Sequence, residues 1–144
     1  MSLKLGILLL TAVLAAAAAT AEATDKYTVD VAQNENLGYY LVNETGFSLY
    51  YFVNDAPGNG TSACSGACSE LWPPFYVDSI AVPAGLNSAD FTILQRTDGK
   101  MQVAFKGWPL YLFSEDKAPG DIKGQGKNSI WFVVKPDAFP PVST

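Results

Sequence analysis

One ten-residue segment occurs twice in this chain. Gly46-Phe47-Ser48-Leu49-Tyr50-Tyr51-Phe52-Val53-Asn54-Asp55 aligns without a gap to Gly107-Trp108-Pro109-Leu110-Tyr111-Leu112-Phe113-Ser114-Glu115-Asp116, 61 residues further on. Each copy reads Gly, aromatic, x, Leu, Tyr, x, Phe, x, x, Asp. The flanks match more loosely: Val42 parallels Val103, Pro57-Gly58 parallels Pro119-Gly120, and Trp72 parallels Trp131. A repeat of this kind restricts the fold strongly. Each unit is too small to bury its own aromatic side chains, so the two must share an interior.

The residues within each copy specify strands. Tyr50 and Phe52 alternate with Leu49, Tyr51 and Val53, and Tyr111 and Phe113 alternate with Leu110 and Leu112. In a strand these sets point to opposite faces. Both sets are apolar or aromatic, so both faces should be covered. Gly46 and Gly107 mark a tight turn or bulge before each strand. Asp55 and Asp116 end the strands before Pro-Gly, where a carboxylate fixes a turn by accepting N–H bonds. Further strands are expected at 27–31, 39–42, 91–96, 101–105 and 130–134. The 39–42 run should form a hairpin with the first repeat strand. Thr97-Asp98-Gly99-Lys100 between alternating runs predicts a tight hairpin. Ser69 to Trp72 is at most one helical turn, stopped by Pro73-Pro74. The tail from Phe139 should run along the surface. The expected fold is all-β: two related aromatic-rich units, about 38–78 and 95–136, in one small sandwich or barrel with few short helical turns. Together they form a single β domain over 24–144.

The first residues form an address. Lys4 precedes a nearly continuous apolar run from Leu5 to Ala19, followed by Ala19-Thr20-Ala21. Positive start, apolar middle and small-x-small end read as a secretory signal peptide over 1–21. The run is shorter than the ~20 residues that a membrane span needs. No later stretch is long and apolar enough, so no stable membrane span is expected after cleavage. The chain should be secreted or on the cell surface.

Composition excludes several functions. The chain contains no histidine, which removes a Ser-His-Asp triad, a Cys-His pair and His-ligated zinc or haem. Its net charge of -5 repels phosphate, so nucleic acid is not an expected partner. Cys64 and Cys68 lie in a short Gly-containing loop. In an oxidising compartment they should pair, stabilising the fold by about 2 kcal/mol in the chain-entropy model. Asn43-Glu44-Thr45 and Asn59-Gly60-Thr61 are candidate glycosylation sites. Asn54, Asp55 and Asn59, and again Glu115, Asp116 and Asp121, place oxygen ligands close together, but neither set has a calcium-loop pattern. No metal or cofactor is expected.

The motifs taken together resemble a known family. Tyr50, Phe52 and Asp55 recur as Tyr111, Phe113 and Asp116. Between and after them lie Cys64 to Cys68, Trp72-Pro73-Pro74, Arg96-Thr97-Asp98-Gly99, Gly107-Trp108-Pro109-Leu110-Tyr111, Pro119-Gly120-Asp121, Gly124-Gln125-Gly126 and Trp131. This pattern resembles the secreted-repeat family, predicted lipoproteins with a Yx(FWY)xxD motif. The resemblance spans about Gly38 to Pro136 and implies a cell-envelope or extracellular protein without assigned activity. Family members often carry a lipidated cysteine at the N-terminus, and none stands near the cleavage pattern here. The resemblance lends no catalytic residues.

The functional expectation is a non-enzymatic β module with a structural or ligand-binding role toward an envelope or extracellular ligand. Tyr50, Phe52, Asp55, Trp72, Trp108, Tyr111, Phe113, Asp116 and Trp131 are the candidate binding residues, since aromatic rings beside carboxylates suit sugars or cations. The competing reading makes them core and turn residues. One alternative function is a redox or metal-binding protein working through Cys64 and Cys68. Another is an envelope glycan hydrolase, which would need paired carboxylates. Glu70, Asp78 and Asp98 are available acids, but no spacing selects a pair, and no catalytic residue is assigned.

Overall fold

The computed structural model describes residues 2, 6–13, 15 and 26–139. Ile7 to Leu10 and Val13 are exposed, outside the core. The cleavage pattern at 19–21 lies outside the described residues, as does the tail beyond Phe139.

The fold is all-β and sandwich-like. In chain order the elements are β1 (Val29–Asn34), β2 (Gly38–Asn43), β3 (Tyr50–Phe52), α1 (Ala67–Leu71), β4 (Phe91–Gln95), β5 (Met101–Phe105), β6 (Trp108–Pro109) and β7 (Trp131–Val133), with short 3-10 turns at Ser88–Asp90, Lys127–Ser129 and Pro136–Ala138. All pairing is antiparallel: β1 with β2, β4 with β5, β5 with β6, and β3 with β7.

The two repeats are interlocked around a pseudo-twofold axis. At its centre Tyr50 and Tyr111 exchange both backbone hydrogen bonds, 2.8 and 2.9 Å. Each central strand then takes its other partner from the far repeat. Strand β3 pairs with β7, so Tyr50 faces Val133 and Phe52 faces Trp131. The second copy does the same with the end of the first unit: Leu112 N–H reaches Pro73 O at 2.8 Å, and Ser114 N–H reaches Leu71 O at 2.9 Å. That second ladder reduces to a single bridge, Pro74 to Tyr111. The expected continuous strand over 110–114 is absent because its partner carries Pro73 and Pro74, which have no N–H to donate.

Hydrogen bonds also correct the alignment. Leu49 N–H bonds Leu41 O, whereas Leu110 N–H bonds Val103 O; Leu41 N–H bonds Val134 O, whereas Val103 N–H bonds Phe75 O. Leu41, not Val42, is therefore the counterpart of Val103. The turn after β2 holds one residue more than the turn after β5. The hairpin expected between 39–42 and the first repeat strand is only a bridge, Val42 to Ser48. The main partner of β2 is β1, across a turn where Asn34 Oδ1 accepts the Asn36 and Leu37 N–H groups. The Asp-Gly hairpin joins β4 and β5 as expected, with Gly99 at φ 84°.

Both faces of the central strands are covered. Leu49 and Leu110 pack with Val29, Leu41, Phe75, Phe91, Val103, Phe105, Val134 and Phe139. Tyr50, Phe52, Tyr111 and Phe113 pack on the other side with Tyr40, Val42, Cys64, Trp72, Trp131 and Val133. Phe139 is thus a core residue and not part of a surface tail: its ring lies 5.1 Å from Tyr51 and 5.5 Å from Phe105.

The repeat glycines allow backbones to touch. Gly58 N–H bonds Gly107 O at 3.0 Å, and Gly120 N–H bonds Gly46 O at 3.3 Å, the same contact seen from each half. Gly107 sits at φ 85°, and a Cβ there would lie 2.7 Å from the Gly58 nitrogen. Replacing Gly107 with alanine therefore combines left-handed strain with a backbone clash. It is expected to cost about 2–4 kcal/mol by urea denaturation. Alanine at Gly120, where a Cβ meets nothing within 4 Å, should cost only the backbone strain.

Candidate functional site

The repeated Tyr and Asp form two reciprocal locks. Tyr50 donates its hydroxyl to Asp116 Oδ2 at 2.7 Å, and Tyr111 donates its hydroxyl to Asp55 Oδ2 at 2.7 Å. Each tyrosine thus bonds the aspartate of the other copy. The second oxygen of each carboxylate is also used. Asp55 Oδ1 accepts the Ala63 N–H at 2.6 Å, and Asp116 Oδ1 accepts the Lys123 N–H at 3.0 Å. All four side chains are buried. Burial raises the Asp55 carboxyl, opposed by the Ala63 and Tyr111 hydrogen bonds and by the Arg96 charge. Burial likewise raises Asp116 against its bonds from Tyr50 and Lys123. Both phenols are pushed above the ordinary tyrosine range, first by burial and then by the adjacent carboxylates. At neutral pH the hydroxyls therefore remain donors to the ionised carboxylates.

A column of rings crosses the axis beside these locks. Phe52 stacks on Trp131 at 4.2 Å, Trp131 on Trp72 at 3.9 Å with an interplanar angle of 2°, and Trp72 on Phe113 at 4.2 Å. Tyr50 meets Trp72 edge-on, and Tyr111 meets Trp131 edge-on. Gly124 lets Trp72 and Tyr50 approach, since a Cβ there would sit 2.7 Å from the indole. The structure so brings together eight of the nine motif residues proposed from the sequence, in a buried cluster. Trp108 is the exception. It is half-buried on the opposite face, beside Tyr51 and Phe139.

Two buried residues outside the candidate binding residues, Arg96 and Gln102, complete one lock. Arg96 is 5 % exposed. Its Nη1 donates to Ser62 Oγ and Gln102 Oε1, and its Nη2 donates to Cys64 O at 2.7 Å. Ser62 Oγ lies 2.6 Å from the Tyr111 hydroxyl. Gln102 Nε2 donates to Leu110 O. The Arg96 guanidinium also holds Asp98 below the usual carboxylate range, chiefly by direct hydrogen bonds. The available sequence signal was an arginine immediately before the Asp-Gly turn. Among the described residues, no buried side-chain nitrogen or oxygen lacks a partner.

The remaining sequence candidates separate. Cys64 and Cys68 form a disulfide with a Cα separation of 5.3 Å, and Cys64 is fully buried. Asn43 is half-buried, and its Oδ1 accepts from Thr45 N–H, Thr45 Oγ1 and Phe47 N–H. Asn59 is exposed in an exposed loop. In the two acidic turns, both oxygens of Asp55 and of Asp116 are committed as above, and Asp121 Oδ2 accepts two backbone N–H groups. Among the described residues, no group of three His, Cys, Asp or Glu side chains could hold a metal ion.

An open cleft of ≈ 580 Å³ is lined by none of the residues of these locks. Its walls come from β1 (Asp30, Val31), β2 (Tyr39), the linker between the repeats (83–87 and Asp90), the β5–β6 turn (Phe105, Lys106) and the segment after β7 (Pro136, Asp137). Tyr39 is 52 % exposed. Lys106 adopts φ 47°, an unusual conformation for a non-glycine residue. Its N–H bonds Asp90 O at 2.7 Å, and its Nζ bonds Phe139 O at 3.1 Å.

Fold and motif together define a duplicated, disulfide-stapled β module whose repeats interlock through reciprocal Tyr–Asp pairs. The model of the Lipoprotein_15 family, a secreted repeat of unknown function, matches residues 31–76 and 92–135, and the chain belongs to that family. Comparison with curated proteins and with solved structures finds no match. Among the described residues, no helix is long and apolar enough to cross a membrane.

Proposed function

We propose that this chain is a non-enzymatic extracellular β module that binds a ligand in the cleft, with the two repeats as its scaffold. One observation carries this reading. The polar groups of the repeated motif are consumed by each other, whereas the cleft is built mainly from residues outside the matched repeats: Asp30, the 83–87 and Asp90 linker, Pro136 and Asp137. Concave sites with an apolar wall and a few polar groups are the usual form of small-ligand sites. The non-enzymatic part is supported by the state of the buried acids, whose oxygens are both engaged. The redox alternative loses support because the two cysteines are joined and none is free among the described residues.

The test is a thermal-shift panel of amines, amino acids, oligosaccharides and phospholipid headgroups against the purified chain. At saturation, about a hundredfold over Kd, a bound compound stabilises by about 2.7 kcal/mol and raises Tm by several degrees. Ala84 is exposed on the cleft wall. Ala84→Trp is expected to abolish that shift while altering stability by no more than ~0.5 kcal/mol. A panel without any shift, or a shift indifferent to Ala84→Trp, counts against the cleft.

A further inference from the structure

We infer that the cleft takes a linear aliphatic di- or polyamine, which rests on the binding reading above and names its ligand class. The first ground is charge. Asp30, Asp90 and Asp137 line the cleft against a single lysine. Among the described residues, none of the three carboxylates is in an ion pair. Only one of their oxygens, Asp30 Oδ1, accepts a hydrogen bond, from the Val31 N–H. Lys106 does not neutralise them: its ammonium is bonded to Phe139 O and lies 5.4 Å over the Phe105 ring. The protein's net charge of -5 adds a long-range attraction for cations.

The second ground is how the charge is distributed. The acids do not converge as a metal site among the described residues. They come from β1, from the linker and from the segment after β7, and Val31, Leu86, Phe105 and Pro136 supply apolar wall in the same cleft. A complementary ligand therefore carries several separated positive groups joined by hydrocarbon. Ammonium groups donate to the carboxylates, and the methylene chain covers the apolar wall. A neutral sugar would leave the carboxylates without charge partners, and an anion would be repelled.

Spermidine is the probe, titrated into the isotopically labelled full chain and read by amide chemical shifts. The expected result is saturable shifts at Val31, Leu86 and Lys106. Affinity should fall as salt rises past about 0.15 M, where screening sets in within about 8 Å. Pentanediol, a neutral analogue of a diamine, should shift none of these amides. Asp90→Asn combined with Asp137→Asn should weaken spermidine roughly tenfold or more. Neither carboxylate accepts a hydrogen bond, so the spectrum should otherwise stay that of the folded chain. Lys106→Met should strengthen binding. Shifts scattered over other surface acids, or binding indifferent to the double variant, overturn the inference. Spermidine silent while an N-acetylated oligosaccharide shifts the same amides overturns the ligand class and leaves the cleft reading standing. Silence of both, with an empty thermal panel, overturns the two together.

Discussion

Cut between Asp78 and Ser79, neither half of this protein is expected to fold, and mixing the halves is expected to restore the native state. The reason is the exchange of partners at the axis. The first half keeps β3 but loses β7, the strand it pairs with. It keeps Asp55 but loses Tyr111, and it keeps Tyr50 but loses Asp116. It retains Phe52 and Trp72 and loses the two rings, Trp131 and Phe113, that stack on them. A buried aromatic contributes about 1.5–3 kcal/mol through area alone, and a domain's net stability is only about 5–15 kcal/mol. Losing one side of such a column therefore exceeds what a half could retain. Near-ultraviolet circular dichroism from the stacked indoles, and a cooperative melt, are the readouts. Both should be missing from each half at low concentration and return on mixing. A concentration-independent cooperative melt of either half alone would show that the interlock is not what holds the fold.

The extent to which this was legible in the sequence follows from how local each feature is. Strand β3 announced itself because alternation within Leu49 to Phe52 is a nearest-neighbour pattern. The Asp-Gly hairpin did so for the same reason. The turn role of Asp55 and Asp116 was also local: each N–H bonds the preceding Phe carbonyl, Asp55 to Phe52 and Asp116 to Phe113. The reach of their carboxylates was not. Within a copy, Tyr and Asp are close in sequence, yet the hydrogen bonds join residues 56 and 66 positions apart. No spacing encodes that choice. It follows only once Tyr50 and Tyr111 face each other antiparallel. Arg96 belonged to the family pattern but not to the candidate site residues, because a charged residue beside a turn ordinarily faces solvent; here the Cys64 carbonyl and Ser62 provide partners that allow its burial. The cleft was the least legible feature. Its wall is assembled from distant segments, and its charges look like ordinary surface acids until β1, the linker and the residues after β7 meet.

The locks also predict how the protein fails in alkali. Tyr50 and Tyr111 are fully buried, and burial and the adjacent carboxylates hold both phenols well above the ordinary tyrosine range. An unfolded chain releases those two protons from about pH 10 upward, and the folded chain keeps them. The folded state then binds more protons, so stability must fall as pH rises. Their contribution is fully present below about pH 10 and is lost progressively towards the folded-state values. Two protons give a slope of about 2.7 kcal/mol per pH unit. Tyr51, half-buried and also raised by burial, adds to it in the same direction. Urea midpoints measured across this range should therefore hold steady and then drop sharply. Tyr111→Phe should roughly halve the slope. At neutral pH the same variant removes a donor from buried Asp55 and a partner from Ser62, at about 1–3 kcal/mol. Phenolate absorbance separates this account from general charge repulsion. Two tyrosines should ionise only together with unfolding. If instead every tyrosine titrated near pH 10 in a still-folded chain, the hydroxyls would be open to solvent and the Tyr–Asp pairs would not be locks.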